Sequence, residues 1–137
     1  MVRSILGIVA GIFAGVLVIA LVESLGHGIF PPPEGVDLKD PDALQSVMGQ
    51  IPIGAKLAVL VAWGLGAFVG ALVALRIGVG NAIAAWIVGA ILFAFAVSTM
   101  MVIPHPLWMM IGAVIVYLAG VIAANHVAHL VNPSLPD

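Results

Sequence analysis

The sequence predicts an all-α membrane fold: a bundle of four transmembrane helices with a short extramembrane helix in the first loop. Three observations predict it. Hydrophobic residues make up 64% of the 137-residue chain and charged residues 7%, too few charges to cover the surface of a soluble domain of this size. The apolar residues gather into four runs, at about 5–25, 53–75, 82–102 and 107–124, each close to the ~20 residues a helix needs to cross a bilayer. The runs are continuous rather than alternating, which favours helices over a β-barrel, because a helix satisfies every backbone amide within its own segment.

Composition also bounds the function. With this length there is room for one bundle over residues 1–137 and for no separate soluble domain. The net charge is −2 and no basic run suits nucleic acid, so membrane lipid is the expected surrounding. Cysteine is absent, which removes disulfides and thiolate metal sites. No cofactor fingerprint, nucleophile motif or complete metal motif appears. A non-catalytic role is therefore expected, with no bound cofactor.

The first helix is expected at about 5–28. Its apolar run is longer than the 7–15 residues of a secretory signal and lacks a small-residue cleavage site, so it reads as a retained span. Gly7, Gly11 and Gly15 recur at four-residue spacing, a doubled G-x-x-x-G that puts three glycines on one face. Such a face admits a second helix at close range, where dispersion contacts hold the pair. That second helix is either a neighbour in the same bundle or a second protomer. The stripe is wider than one neighbour needs, so self-association is expected, as a homo-oligomer or within a larger membrane complex.

The loop that follows begins with Pro31, Pro32 and Pro33, which end the helix in a stiff extended segment. A short helix is expected at about 41–48, with Asp40 as N-cap, Pro41 at N1, Asp42 on the helix dipole and Gly49 closing it. Its apolar stripe of Leu44, Val47 and Met48 is expected on the membrane surface or the rim of the bundle.

The second span is expected at about 52–76 and repeats the small-residue device with Ala62, Gly66, Gly70 and Ala74. A tight turn around Gly78 and Gly80 leads into a third span at about 81–103. The link centred on Pro104-His105-Pro106 then opens a fourth span at about 106–129, where Gly112 and Gly120 stand beside Ala119 and Ala123. Trp86 and Trp108 fall near helix ends, where indoles prefer the membrane interface. Four spans place both termini on one side. Arg3 and Arg76 share that side while Lys39 and Lys56 share the other, so the positive-inside count is a tie. The first helix usually decides orientation, and Arg3 precedes it, so both termini are expected in the cytoplasm.

Ionisable groups inside a membrane span are costly and are functional candidates by default. Glu23 is the principal one. His27, four residues on, shares its helical face. Lys56, His105, Ser98 and Thr99 lie towards the same membrane side, so six polar groups are expected to converge at one end of the bundle. Three readings compete. Glu23 can pair with Lys56 or His27 and lock two helices together. It can line a ligand or ion path. Glu23, His27 and His105 can hold zinc or another divalent transition metal, as three N/O ligands with an open position. Glu23 is expected to face the interior and bond His27, Lys56 or the Ser98/Thr99 hydroxyls, because a lipid-facing carboxylate would be expensive. His126 and His129 read as a solvated helix end that complements the dipole. Met100, Met101, Met109 and Met110 read as gap-filling side chains rather than a copper site.

The segments Phe30-Pro31-Pro32-Pro33-Glu34-Gly35-Val36-Asp37, Ala62-Trp63-Gly64-Leu65-Gly66 and Pro104-His105-Pro106-Leu107-Trp108 together resemble a widespread group of small four-helix bacterial membrane proteins. That resemblance covers nearly the whole chain and implies the four-helix architecture and a bacterial cytoplasmic-membrane location. It implies no activity, substrate or site residue. Three classes of role remain: an accessory or self-associating membrane component, a small transporter or channel using Glu23, and a metal-dependent membrane protein. An open cavity at Glu23 would favour transport, a bound metal the third class, and a fully paired Glu23 a scaffold.

Overall fold

The computed structural model describes residues 1–31, 34, 35, 37, 40–103 and 105–133, without the side chains of Pro41 and Leu44. The element order is α1 (Val2–Ile29), α2 (Pro41–Val47), α3 (Ile53–Ile77), α4 (Ala82–Val102) and α5 (Leu107–Val131). The helices α1, α3, α4 and α5 are each long and apolar enough to cross a membrane, which fits an integral membrane protein. Expected and observed boundaries agree to within three residues. The extended proline segment at Pro32 and Pro33, Lys39 and the Leu44 side chain lie outside the described residues.

The core is built of small side chains. Ala62, Ala67, Ala71, Ala74, Ala85, Ala113 and Ala124 are fully buried, while Leu6, Phe13, Leu21, Ile83, Ile115 and Ile122 look outward. In water such an arrangement would be inverted. In lipid, tails are as apolar as leucine, and what holds helices together is close backbone approach. The central helix is α3, which packs against α1, α4 and α5.

Against α1 the approach is closest at the glycines. A Cβ placed on Gly7 would lie 2.8 Å from the Ala74 carbonyl oxygen, one on Gly11 2.5 Å from that of Gly70, and one on Gly15 2.9 Å from that of Gly66. The reverse holds too: a Cβ on Gly70 would meet the Gly11 carbonyl at 2.8 Å. The Gly7/Gly11/Gly15 stripe therefore faces Gly66, Gly70 and Ala74 of the same chain. That corrects the expectation that it faces a second protomer, because α3 already fills the space. Across α3, Gly120 of α5 sits over Gly64 in the same manner: a Cβ placed on Gly120 would lie 2.7 Å from the Gly64 carbonyl oxygen. Ala119 and Ala123, expected beside this seam, are exposed.

The ends of the helices are set by local chemistry. Asp40 Oδ1 accepts the Asp42 amide at 3.0 Å and Pro41 occupies the first turn, as the loop-helix pattern predicts. At the end of α3, Val79 and Gly80 both take positive φ, and the Gly80 amide bonds the Leu75 carbonyl at 2.8 Å. Asn81 then starts α4: its Oδ1 accepts the Ala84 amide at 3.3 Å, and its Nδ2 donates to Ser4 Oγ of α1 at 3.0 Å. Asn81→Ala removes a cap and an interhelical hydrogen bond together, and is expected to lower stability by about 1–2 kcal/mol. A melting midpoint in detergent equal to that of the parent would show that neither bond contributes.

Trp86 and Trp108 stand near the ends of their helices and are each less than half exposed, consistent with interface positions. His126 and His129 lie in the last turns of α5, exposed and half-buried respectively. The methionines divide: Met109 is buried and Met101 faces outward. Four antiparallel spans place the described N-terminal and C-terminal ends on one side, with the loop containing α2 on the other.

Candidate functional site

Glu23 is six residues from the end of α1, about 9 Å along the axis at 1.5 Å per residue. Gly26 is buried against Ala58, which brings this last part of α1 onto α3. The carboxylate turns inward and is half-buried. The Trp63 indole Nε1–H donates to Glu23 Oε1 at 3.2 Å.

The expectation of an inward, hydrogen-bonded Glu23 therefore stands, but its partner is neither His27, Lys56, Ser98 nor Thr99. Ser98 donates to the Ala94 carbonyl at 2.9 Å and Thr99 to the Phe95 carbonyl at 3.1 Å. Both hydroxyls bond back into their own helix, the usual local alternative for Ser and Thr in a span. Trp63 is ten residues into α3, about 15 Å from its start. A buried indole at that depth needs an acceptor, and that requirement was the available signal. In the sequence Trp63 stands within the segment Ala62-Trp63-Gly64-Leu65-Gly66, with no mark of the partner it meets.

Trp63 is also the hub of an aromatic series. Its ring lies 6.2 Å from that of His105 and 6.3 Å from that of Tyr117, and Tyr117 meets Phe93 edge-on at 5.4 Å. Tyr117 is buried ten residues into α5, at the same depth as Trp63. These separations suit offset or tilted aromatic contacts. His105 Nδ1–H donates to the Ile103 carbonyl at 2.6 Å, which fixes the ring in the α4–α5 link.

Two clefts meet at Glu23. The loop-side cleft, with a cavity volume of about 110 Å³, brings together Glu23, His27, Lys56 and His105 with apolar walls that include Phe30 and Met109. Met48, the C-cap of α2, reaches its wall, so the α2 end forms part of the rim. The lateral cleft, with a cavity volume of about 210 Å³, lies between α1 and α4 and is lined by Glu23, Trp63, Tyr117, Phe95 and Thr99 among aliphatic side chains. Its rim residues Val16 and Phe95 are exposed on the lipid-facing surface. Glu23 lines both spaces, and Trp63 lines the lateral one.

Of the six polar groups expected to converge, four line the loop-side cleft. Thr99 lines the lateral one, and Ser98 is exposed on α4 away from both. Among the described residues no three His, Asp or Glu side chains form a metal-holding group. Glu23, His27 and His105 share a cleft without closing on one point, so the metal reading gains no geometry. His27 is exposed at the rim, and the Lys56 side chain makes no hydrogen bond among the described residues.

Comparisons with protein families, with curated proteins and with solved structures give no match.

Proposed function

We propose that this protein is a non-catalytic integral-membrane component that binds a small, largely apolar ligand, with Glu23 as the polar group the ligand meets. The observation that supports it is the position of Glu23 on the walls of both clefts, anchored by a neutral indole rather than by a cation. A carboxylate serving as a structural lock would be expected to pair with Lys56 or His27. Here its hydrogen bond goes to Trp63, and one carboxylate oxygen still has its acceptor capacity. Such a group can be satisfied by a ligand without breaking a helix–helix bond.

Movement of the ligand between the clefts is the second reading, favoured by the same position. Assembly with further copies fits this proposal through lipid-facing surfaces other than the α1–α3 glycine seam. The bacterial cytoplasmic membrane, with both termini inside, is the proposed location.

The chain contains no cysteine, so single cysteines report cleft access directly. Lys56→Cys and Val59→Cys both stand on the loop-side wall, Val59 three residues further into α3. A membrane-impermeant cationic thiol reagent added from the loop side is expected to modify both at comparable rates. Modification of Lys56→Cys with Val59→Cys inert would mean that the cleft is shut to solutes, and the binding reading would fall.

A further inference from the structure

The lateral cleft identifies a ligand class. This inference rests on Glu23 being the group that meets a ligand. Among the described residues that line this cleft, Glu23 is the ionisable carboxyl and none is cationic; Lys56, His27 and His105 line the other cleft. Thr99 already donates its hydroxyl hydrogen to Phe95, so towards the cleft it can offer only lone pairs. The walls present the aromatic side chains of Trp63, Tyr117 and Phe95. A cleft with one negative group, acceptor oxygens and aromatic walls favours a positive charge. It disfavours an anion, which would meet the carboxylate with no cation and only the Tyr117 hydroxyl to offset it.

The kind of cation follows from what is missing. A hard metal ion demands six or more oxygen ligands, or keeps its waters, and this apolar cleft supplies few. An organic cation with delocalised or shielded charge needs no such shell, and its charge can rest on aromatic faces. The mouth between Val16 and Phe95 opens towards lipid, so the ligand must partition into the bilayer to reach it. We propose that the cleft between α1 and α4 is a binding site for a lipophilic organic monocation, counter-charged by Glu23 and flanked by Trp63 and Tyr117.

The test uses the whole protein in lipid nanodiscs and equilibrium dialysis of tetraphenylphosphonium, with tetraphenylborate as the probe of equal shape and opposite charge. Glu23→Gln keeps a carbonyl oxygen for the Trp63 indole, so the bundle is preserved while the charge is removed. Saturable tetraphenylphosphonium binding is expected, at least about tenfold weaker in Glu23→Gln, with no saturable tetraphenylborate binding. Val16→Phe narrows the mouth without touching Glu23 and is expected to weaken binding as well, which covers the case of a poorly folded Glu23→Gln. Equal affinity in parent and Glu23→Gln, or equal binding of the two probes, would overturn the proposal. If that happened while Val59→Cys remained reactive, the ligand class would be wrong and the reading of Glu23 would survive. If Val59→Cys were inert as well, both would fail.

Discussion

Gly11→Leu is expected to separate α1 from α3 and to lower stability by about 3 kcal/mol or more, the upper end of what overpacking costs. The Cβ alone would stand 2.5 Å from the Gly70 carbonyl oxygen and 3.1 Å from Val88 Cγ2. The obstacle is backbone, which cannot rotate aside as a side chain can. Relief requires the helices to move apart, and that forfeits the neighbouring contacts at Gly7 and Gly15. Gly28, on the same helix, has nothing within 4 Å of its Cβ position and serves as the control. Gly28→Leu is expected to leave the melting midpoint in detergent within error of the parent. If Gly11→Leu melted normally and only reduced the particle mass in native mass spectrometry, the stripe would belong to a protomer interface instead.

Trp63→Phe should be the next most damaging of these changes, at about 1–3 kcal/mol, because it strands a half-buried carboxylate whose hydrogen-bond donor has gone. Aromatic packing against His105 and Tyr117 is largely kept by the phenyl ring, so the loss reports mainly on the hydrogen bond. Glu23→Leu leaves the indole N–H without an acceptor and should also destabilise. The double variant removes both polar partners and should recover much of the difference, since an apolar replacement of a buried pair is often nearly neutral. The coupling in this double-mutant cycle is the measurement. Strictly additive losses, from melting or from reversible unfolding in detergent, would mean that the bond between Trp63 and Glu23 contributes nothing.

Much of the architecture was legible because a bilayer imposes simple rules. Continuous apolar length sets each span, small residues at four-residue spacing mark close helix approach, and Asp40 with Pro41 at N1 begins the loop helix, the aspartate by accepting an exposed amide. The boundaries of the four spans, the loop helix and the inward Glu23 all follow from chemistry local to one helix. The doubled G-x-x-x-G was equally plain as a packing face.

Which helix filled that face was not legible. Gly66, Gly70 and Ala74 carry the same spacing as Gly7, Gly11 and Gly15, but spacing alone does not distinguish a neighbour in the chain from a second copy. Only the α1–α3 crossing decided it. The partner of Glu23 was hidden for a similar reason. Positions 23 and 63 are forty residues apart, and their meeting depends on the angle at which α1 crosses α3 and on the indole rotamer. The rotation of α4 about its own axis likewise leaves Ser98 on the surface and Thr99 on the lateral cleft, although they are adjacent in sequence. The sequence by itself determined the membrane class, the four spans and the scarcity of charge that makes Glu23 prominent. The tertiary structure decided what that carboxylate touches and which spaces open onto it, because those depend on distances between helices that no single helix encodes.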